Sequence, residues 1–277
     1  MTQMSFFGPS GDEPKPSNDE VVRLRILVVV KTAPIPSATY GATVCVAGVS
    51  VDFDRPGWVR LFPIAFPAQS SGFAKDDLVE VDATPSRRDS RRESWRPRMG
   101  SLRVAERGLD WRTKRRWLEP YVDDDVTMCS LQRAAADLAD AASLALVRPR
   151  RVTGFKVERH GGWTPGQQAN VTAHTAEPDL FGTVDITPLP APRFTGKYHY
   201  LCRDSSCSGH RQETLDEDFV AMQRGLVDVR DQTAAARLTR EFRDRLCAPE
   251  RDIGFYVGNQ VARRQSFSVG AVHWFRR

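Results

Sequence analysis

Lysine is scarce in this chain of 277 residues: it supplies six of the 40 basic side chains, and arginine supplies the rest. The formal net charge is +5, which permits binding to an acidic partner without requiring it. An arginine bias also arises in GC-rich genomes, whereas the planar guanidinium group is well suited to phosphate recognition. The composition therefore leaves an anion-binding role open and does not decide it.

The sequence also lacks the features of secreted and membrane proteins. No apolar run reaches the length of a transmembrane helix, and the polar amino terminus lacks the basic and hydrophobic regions of a signal peptide. The five cysteines are odd in number and unevenly spaced, so they do not form a disulfide framework. These absences predict a cytoplasmic protein with reduced cysteines.

Common catalytic motifs are absent as well. The chain has no Walker loop, GxGxxG, GxSxG or HExxH sequence and no kinase motif set. It also lacks the His-x-Glu and Pro-Cys-x-x-Cys pattern of zinc deaminases. Whether the protein is an enzyme therefore stays open at the level of sequence.

A compact group of cysteines and histidines is the most specific feature that is present. His199, Cys202, Cys207 and His210 lie within twelve positions, and thiolate and imidazole are the ligands that Zn²⁺ prefers. Residues 197–202 are predicted to form a strand, on which His199 and Cys202 would face opposite sides. A fourth ligand from elsewhere is the alternative to His199, and the candidates are Cys45, Cys129, Cys247 and His273.

We therefore predict a structural zinc site at this group. Two other interpretations stay open. The segment could be a metal-free hairpin tip with two thiols, or its cysteines and histidine could hold iron and sulfur.

The hydrophobic pattern predicts an α+β fold. Short apolar strands at 24–30, 42–51, 58–64 and 78–83, separated by turns, favour a small β-barrel-like N-terminal half. A mixed α/β C-terminal half would carry the Cys/His group. We expect a disordered tail with a linear motif over 1–20, a barrel-like domain plus a helix over 21–150, and an α+β domain over 151–277.

The rest of the chain, after the four strands, has less regular patterning. Helical spacing of apolar residues predicts a helix over 131–147 and two more over 219–226 and 232–246. Strands are predicted at 152–158, 253–258 and 266–275, with a loop over 259–265. The stretch 159–193 is rich in Gly, Pro and Thr and is predicted to be a long loop.

Arginine and tryptophan occur together in two segments, residues 86–98 and residues 111–117. This combination suits a phosphate backbone with stacked bases. The alternative is a solvated loop whose acidic residues pair with its own arginines. The candidate nucleic-acid-binding residues are Arg87, Arg88, Arg91, Arg92, Trp95, Arg96, Arg115 and Arg116.

Acidic residues could instead give these regions a catalytic role. Asp89 and Glu93 lie within the first arginine segment, and Asp216 follows the Cys/His group. If His210 held a water-activating zinc ion with an open fourth position, Glu213 or Asp216 could act as the general base.

Two resemblances to known families can be identified. Gln3, Met4, Ser5, Phe6 and Phe7 resemble the short peptide by which bacterial repair and replication proteins bind the sliding clamp, which implies a clamp partner. The body, with Val-Cys-Val-Ala-Gly-Val, Gly-Trp-Val-Arg-Leu-Phe-Pro-Ile and Cys-x4-Cys-x2-His, resembles an uncharacterised bacterial protein family. That family implies no activity and no catalytic residues.

Together these features predict a nucleic-acid-binding protein, with DNA favoured over RNA, associated with bacterial DNA repair, replication or phage defence. One alternative is a metal-dependent enzyme that acts on nucleic acid or a nucleotide. The other is a clamp-binding adaptor without catalysis.

Overall fold

The structure is a computed structural model of the chain that describes residues 16, 19–52, 55–66, 72–176 and 188–275. Its strands are β1 Val22–Lys31, β2 Ile35–Ser37, β3 Gly41–Ser50, β4 Trp58–Phe66, β5 Leu78–Pro85, β6 Ser94–Pro97, β7 Arg103–Glu106, β8 Leu144–Val147, β9 Pro149–Arg159, β10 Phe194–Cys202, β11 His210–Glu213, β12 Asp252–Gln260 and β13 Arg263–Phe275. Its helices are α1 Trp111–Leu118, α2 Met128–Asp137, α3 Pro165–Ala176, α4 Glu217–Arg224 and α5 Asp231–Thr239, which continues into a π-helical turn, Arg240–Arg245. Among the described residues, no helix is long and apolar enough to cross a bilayer.

The N-terminal half is a closed β-barrel. Within the described residues, five strands complete the circle in the order β1–β3–β4–β6–β5, and β5 pairs back with β1. The contact between β4 and β6 is parallel and the other contacts around the barrel are antiparallel. Because successive strand residues face opposite sides, alternating apolar residues such as Ile26, Val46, Leu61 and Val81 form one buried core. The predicted α+β class and barrel-like N-terminal half are confirmed.

The C-terminal half combines helices with two small antiparallel sheets. The sheets have the strand orders β11–β10–β9 and β13–β12–β8. Aromatic rings form the centre of its core, with Phe155, Tyr198, Phe219, Phe242 and Phe255 in contact at centroid distances of 4.6 to 5.8 Å. The predicted mixed α/β character of this half is confirmed.

Two predicted elements of this half have different bounds in the structure. The helix predicted over 131–147 ends at Asp137, and Leu144–Val147 is the strand β8, which pairs with β12. All four β8 side chains are buried, and a short strand buried on both faces has no periodicity that separates it from a helix. The loop predicted over 259–265 is a two-residue turn, because β12 extends to Gln260 and β13 begins at Arg263.

The loop predicted over 159–193 contains α3. The amide of Gln167 donates to Thr164 Oγ1 at 3.3 Å, and the amide of Thr164 donates to Gln167 Oε1 at 3.0 Å. These two bonds form a capping box, and Pro165 occupies the first helical position. Both signals favour a helix start. The helix packs on the barrel strands β2 and β3, and the Gly, Pro and Thr content of the segment masks its helical signal.

A buried polar network joins the barrel to the C-terminal half. Arg60 of β4 donates to the hydroxyl of Ser143 at 2.8 Å and to its carbonyl at 3.0 Å. Glu93 accepts from the amide and the hydroxyl of Ser143 at 2.9 and 2.8 Å. Arg91 donates to Asn259 Oδ1 in β12 at 3.0 Å. All five residues are buried, and none of their buried side-chain atoms is without a partner, as the cost of burying charge requires.

Candidate metal centre

Three cysteines and a histidine converge in the C-terminal half. The ligand atoms of Cys129, Cys202, Cys207 and His210 all lie within 4.8 Å of one another. Cys129 is half-buried and the other three are buried. A group of three thiols and one imidazole at this spacing could hold a metal ion.

Cys129 comes from the first turn of α2. Thr127 caps the helix by accepting from the Ser130 amide at 3.0 Å, and Ser130 Oγ accepts in return from the Thr127 amide at 3.0 Å. The buried side chains of Met128 and Leu131 fix the helix on the core.

Cys202 ends the strand β10, whose residues alternate between buried and half-buried. Phe194, Tyr198, Tyr200 and Cys202 face inward, whereas His199 lies on the other face. The alternation therefore separates His199 from Cys202, and the group that could hold a metal includes Cys129 instead of His199. The assignment of His199 as a ligand is corrected in this way.

The other two ligands follow from the turn between β10 and β11. Asp204 Oδ1 accepts from the amide and hydroxyl of Ser206 at 2.9 and 2.6 Å, and the Cys207 amide donates to the Asp204 carbonyl at 3.1 Å. Gly209, at a φ of +117°, then reverses the chain. His210 begins β11 opposite Tyr200, so the turn places Cys207 and His210 beside Cys202.

The spacing of the ligand atoms suits one tetrahedral ion. His210 Nε2 lies 3.3 Å from Sγ of both Cys202 and Cys207 and 3.5 Å from Sγ of Cys129. The Cys129 and Cys202 Sγ atoms are 3.6 Å apart. Bond lengths of about 2.3 Å to sulfur and about 2.0 Å to nitrogen give tetrahedral edges of about 3.8 Å and about 3.5 Å. These four distances are therefore close to the edges of such a tetrahedron.

Two alternatives fit these distances less well. A disulfide needs its sulfur atoms about 2.05 Å apart, far closer than Cys129 and Cys202 lie. A cluster of several iron atoms would need its ligands spread around its own sulfides, whereas all four ligand atoms here fall within 4.8 Å. A single ion is the better fit.

Metal binding would displace protons from the group, because a metal binds cysteine as the thiolate. Burial raises the pKa of the Cys129 thiol to about 12, and the Cys202 and Cys207 sulfur atoms add to the effect. Burial also acts to raise the pKa of Cys202, but backbone amides of Cys129 and Asp204 donate to its sulfur, and the net pKa is lowered. Burial lowers the pKa of His210, which favours the neutral imidazole that a metal requires.

Further contacts hold the ligands in place. Arg133 of α2 donates to Asp204 Oδ2 at 2.7 Å, so the helix and the turn are joined by an ion pair as well as by the ligands. Hydrogen bonds from Ser206 and then Arg133 hold the pKa of Asp204 at about 2. Such outer contacts commonly orient metal ligands.

The remaining candidate ligands lie elsewhere. Cys45 is in β3, and the Cys247 thiol donates to the Phe242 carbonyl at 3.4 Å. His273 Nδ1 is 2.9 Å from the Tyr256 hydroxyl. Within the described part of the chain, none of these three belongs to the group around His210.

The predicted catalytic carboxylates have structural partners. Asp89 accepts from Arg91 Nη2 at 2.6 Å and from Ser94 Oγ at 2.7 Å. Burial acts to raise the pKa of Asp89, but these bonds outweigh it and lower the pKa to about 2, so Asp89 is a weak base. Glu93 is buried in the network with Ser143.

Asp216 also has a structural role. It caps α4 by accepting from the Asp218 amide at 3.0 Å, and it accepts from Lys75 Nζ at 2.7 Å. Burial raises its pKa, and Lys75 opposes the effect. The structure does not bring Asp89, Glu93 or Asp216 into the group of metal ligands.

The predicted nucleic-acid-binding residues divide into two classes. Trp95 is part of the barrel core, because β6 inserts between β4 and β5. The guanidinium group of Arg91 is buried against Asp89 and Asn259. Neither is available to a ligand on the surface, and both are corrected here. The exposed members are Arg87, Arg88, Arg92, Arg96, Arg115 and Arg116.

The predicted clamp-binding residues Gln3, Met4, Phe6 and Phe7 lie outside the described residues. The clamp resemblance therefore stays a prediction.

Comparison with protein-family models gives two matches. A model described as a domain of unknown function, DUF8757, matches residues 123–277, which is more than half of the chain. The chain belongs to the DUF8757 family. A second model, also described as a domain of unknown function, DUF8758, matches residues 22–120, and comparison with curated proteins finds no match.

The two matched regions follow the two halves of the structure. The DUF8758 match spans β1 to α1 and therefore contains the barrel. The DUF8757 match contains α2, β8 and all four residues of the candidate metal centre. The centre is thus a feature of the DUF8757 part, and Cys129 lies close to its first residue.

Proposed function

We propose that this DUF8757 protein binds nucleic acid, and that a zinc ion supports its C-terminal half without taking part in chemistry. The observation that carries the proposal is a set of exposed arginines on β6 of the barrel and the segment that leads into it, Arg87, Arg88, Arg92 and Arg96. We call these four residues the barrel arginines.

The charge of the barrel arginines favours phosphate contacts. Arg87 pairs with the exposed Asp19, and Arg92 Nε lies 3.9 Å from Glu93. Among the described residues, Arg88 and Arg96 have no carboxylate within 4.0 Å. The Arg87–Asp19 pair is exposed on both sides, and such pairs are worth little, so a phosphate oxygen could replace Asp19. Because Trp95 is buried, the contact would be with the nucleic-acid backbone rather than with stacked bases.

The ligand set supports zinc as the metal. Thiolate ligands favour Zn²⁺ over Mg²⁺ or Ca²⁺, and tetrahedral sites of three cysteines and one histidine are typical of structural zinc. Four protein ligands fill the coordination sphere, whereas catalytic zinc keeps a position for water. This favours a binding protein over a zinc-dependent hydrolase.

Salt-dependent binding tests the proposal. The probe is a labelled single-stranded or duplex oligonucleotide of about 20 nucleotides, followed by fluorescence anisotropy from about 50 to about 200 mM salt. We expect affinity to fall steeply with salt, because each neutralised phosphate releases counterions.

The barrel arginines provide the matched variants. Changing all four to Gln should weaken binding by about 10-fold or more, whereas changing all four to Lys should retain most of the affinity because the charge remains. Absent or salt-independent binding by the wild type would contradict the proposal. Equal affinity of the Gln variant and the wild type would contradict the assignment of these residues.

The predicted link to bacterial DNA repair, replication or phage defence is a further part of this proposal. If residues 3–7 bind the sliding clamp, the wild type should capture the clamp and a Phe6→Ala/Phe7→Ala variant should not. Capture that is unchanged in the variant would reject the peptide.

A further inference from the structure

A second arginine-rich surface lies in the C-terminal half, away from the residues considered so far. A cleft of about 780 Å³ opens beside α4 and the end of α5. Arg237, Arg240, Arg245 and Arg251 line it. We call it the α5 cleft.

The lining also carries three carboxylates, Glu241, Asp244 and Glu250, against four guanidinium groups, so its formal charge is positive by one. Glu241 accepts from Arg245 Nε at 2.7 Å. Asp244 accepts at 2.9 Å from Arg243, which is outside the lining. Within the described ranges, no carboxylate lies within 4.0 Å of Arg237, Arg240 or Arg251. These three guanidinium groups therefore have capacity for an external anion.

One of the three is held in a fixed orientation. The guanidinium group of Arg251 lies over the Trp274 ring, with Cζ 3.8 Å from the ring centroid. The ring is itself held by a hydrogen bond of 2.9 Å from Nε1 to the Leu246 carbonyl. A guanidinium group held against an aromatic ring can still donate from its N–H groups to a phosphate.

The backbone of the α5 cleft is also unusual. Residues Arg240–Arg245 form a π-helical turn, in which the Leu246 amide donates to the Glu241 carbonyl at 3.0 Å. Turns of this kind are rare in helices and occur frequently at functional sites. The turn carries Arg240 and Arg245 of the lining.

We propose that the α5 cleft binds a phosphate group of a nucleic-acid strand through Arg237, Arg240 and Arg251. Met222 and Ala248 are the apolar residues of the lining, and among the described residues that line the cleft there is no aromatic ring to stack on a base. The cleft therefore suits a backbone phosphate better than a whole nucleotide. This inference rests on the proposed function and adds a contact surface separate from the barrel arginines.

Matched charge changes test the inference. The cleft variant is Arg237→Gln/Arg240→Gln/Arg251→Gln, and the control variant is Arg150→Gln/Arg151→Gln/Arg263→Gln, which removes the same charge from exposed positions elsewhere. In anisotropy titrations with the same oligonucleotide, we expect about 10-fold weaker binding by the cleft variant. The salt slope should also become shallower by about 0.7 for each single-strand phosphate that the variant no longer neutralises. The control should change affinity by less than about 3-fold.

The outcomes separate the two proposals. No binding by the wild type overturns both. Binding that is lost with the barrel arginines but is equal in the cleft and control variants overturns the inference alone. ATP that binds as tightly as the oligonucleotide, and is lost in the cleft variant, indicates a free-nucleotide site and also overturns it.

Cations near the C-terminal end of a helix also stabilise the helix through its dipole. The melting temperature of each variant is therefore measured alongside its affinity. If the triple variant is destabilised, Arg251→Lys replaces it, because lysine keeps the charge but loses the planar guanidinium group. Weaker binding by this folded variant supports the inference, and unchanged affinity overturns it.

Discussion

At the scale of single residues, the choice between Cys129 and His199 decides how the metal centre is built. Cys129 lies within reach of the other ligands, and His199 is on the opposite face of β10. We predict that Cys129→Ser lowers zinc affinity by more than about 100-fold, whereas His199→Ala leaves it close to wild type. Competition with a chromogenic chelator measures both affinities.

A third variant tests whether loss of the metal requires the removal of a ligand or follows from the removal of any cysteine. Cys45→Ser removes a thiol that is outside the group and should retain the metal. If His199→Ala releases the metal and Cys129→Ser does not, the ligand set derived from the structure is wrong.

His273 gives a pH-dependent prediction. Burial, with the Lys114 cation as a second cause, lowers the pKa of His273 from 6.5 to about 4. Between these two pH values the unfolded chain binds a proton that the folded chain does not, so stability falls as pH is lowered. From pH 7 to pH 5 this histidine should cost about 2 kcal/mol of unfolding free energy.

The matched variant for this prediction is His273→Gln, whose side-chain oxygen can still accept the Tyr256 hydroxyl, 2.9 Å from His273 Nδ1. Urea unfolding at several pH values should show a weaker pH dependence for the variant than for the wild type. An identical pH dependence would show that His273 does not have the lowered pKa.

At the scale of elements, local sequence predicted the barrel better than the metal centre. The strands β1, β3, β4 and β5 follow from local alternation and turn residues, which need no knowledge of distant partners. By contrast, Cys129 is 73 positions from Cys202, and only the tertiary packing of α2, which lies against β13, brings them together. Spacing therefore predicted three members of the group that could hold a metal and left the fourth among several candidates.

Burial explains the other differences between sequence and structure at this scale. Arg91 and Trp95 have the composition of a nucleic-acid-binding segment, yet both side chains are buried at β6 and the residues that lead into it. Composition does not show which side chains of a short strand face the core. A shift of the strand register by one residue moves every side chain to the opposite face of the sheet. The capping box before α3 is a local signal from which that helix could have been predicted.

The polar network between barrel and C-terminal half gives a prediction for the contact between elements. Glu93, which leads into β6, accepts two hydrogen bonds from Ser143, next to β8, and Arg60 donates to the same serine. Glu93→Ala would leave these buried groups without their partner. We expect a loss of about 3–5 kcal/mol in unfolding free energy.

Two comparisons make this prediction specific. Glu93→Gln keeps one acceptor oxygen and should cost less than Glu93→Ala, and Glu106→Ala, at an exposed position of β7, should cost less than about 0.5 kcal/mol. Urea unfolding followed by tryptophan fluorescence measures all three. A Glu93→Ala variant as stable as Glu106→Ala would show that the network does not stabilise the fold.

At the scale of the whole molecule, the metal centre and the barrel belong to separately matched regions of the chain. The centre joins α2 to the turn between β10 and β11, and Cys202 and Cys207 are part of the main C-terminal core. The barrel has a core of its own. Removal of the metal should therefore loosen the C-terminal half first.

We predict that chelation of the metal increases amide hydrogen exchange in peptides from α2, β10 and β11 and leaves exchange in β1, β3 and β4 nearly unchanged. An ion present at about 1,000 times its dissociation constant stabilises the folded form by about 4 kcal/mol, and that stability is lost with the ion. Exchange followed by mass spectrometry, with metal restored to one sample as the control, measures the difference. Uniform loss of protection across both halves would mean that the chain unfolds as one cooperative unit, with the polar network around Glu93 and Arg60 transmitting the loss.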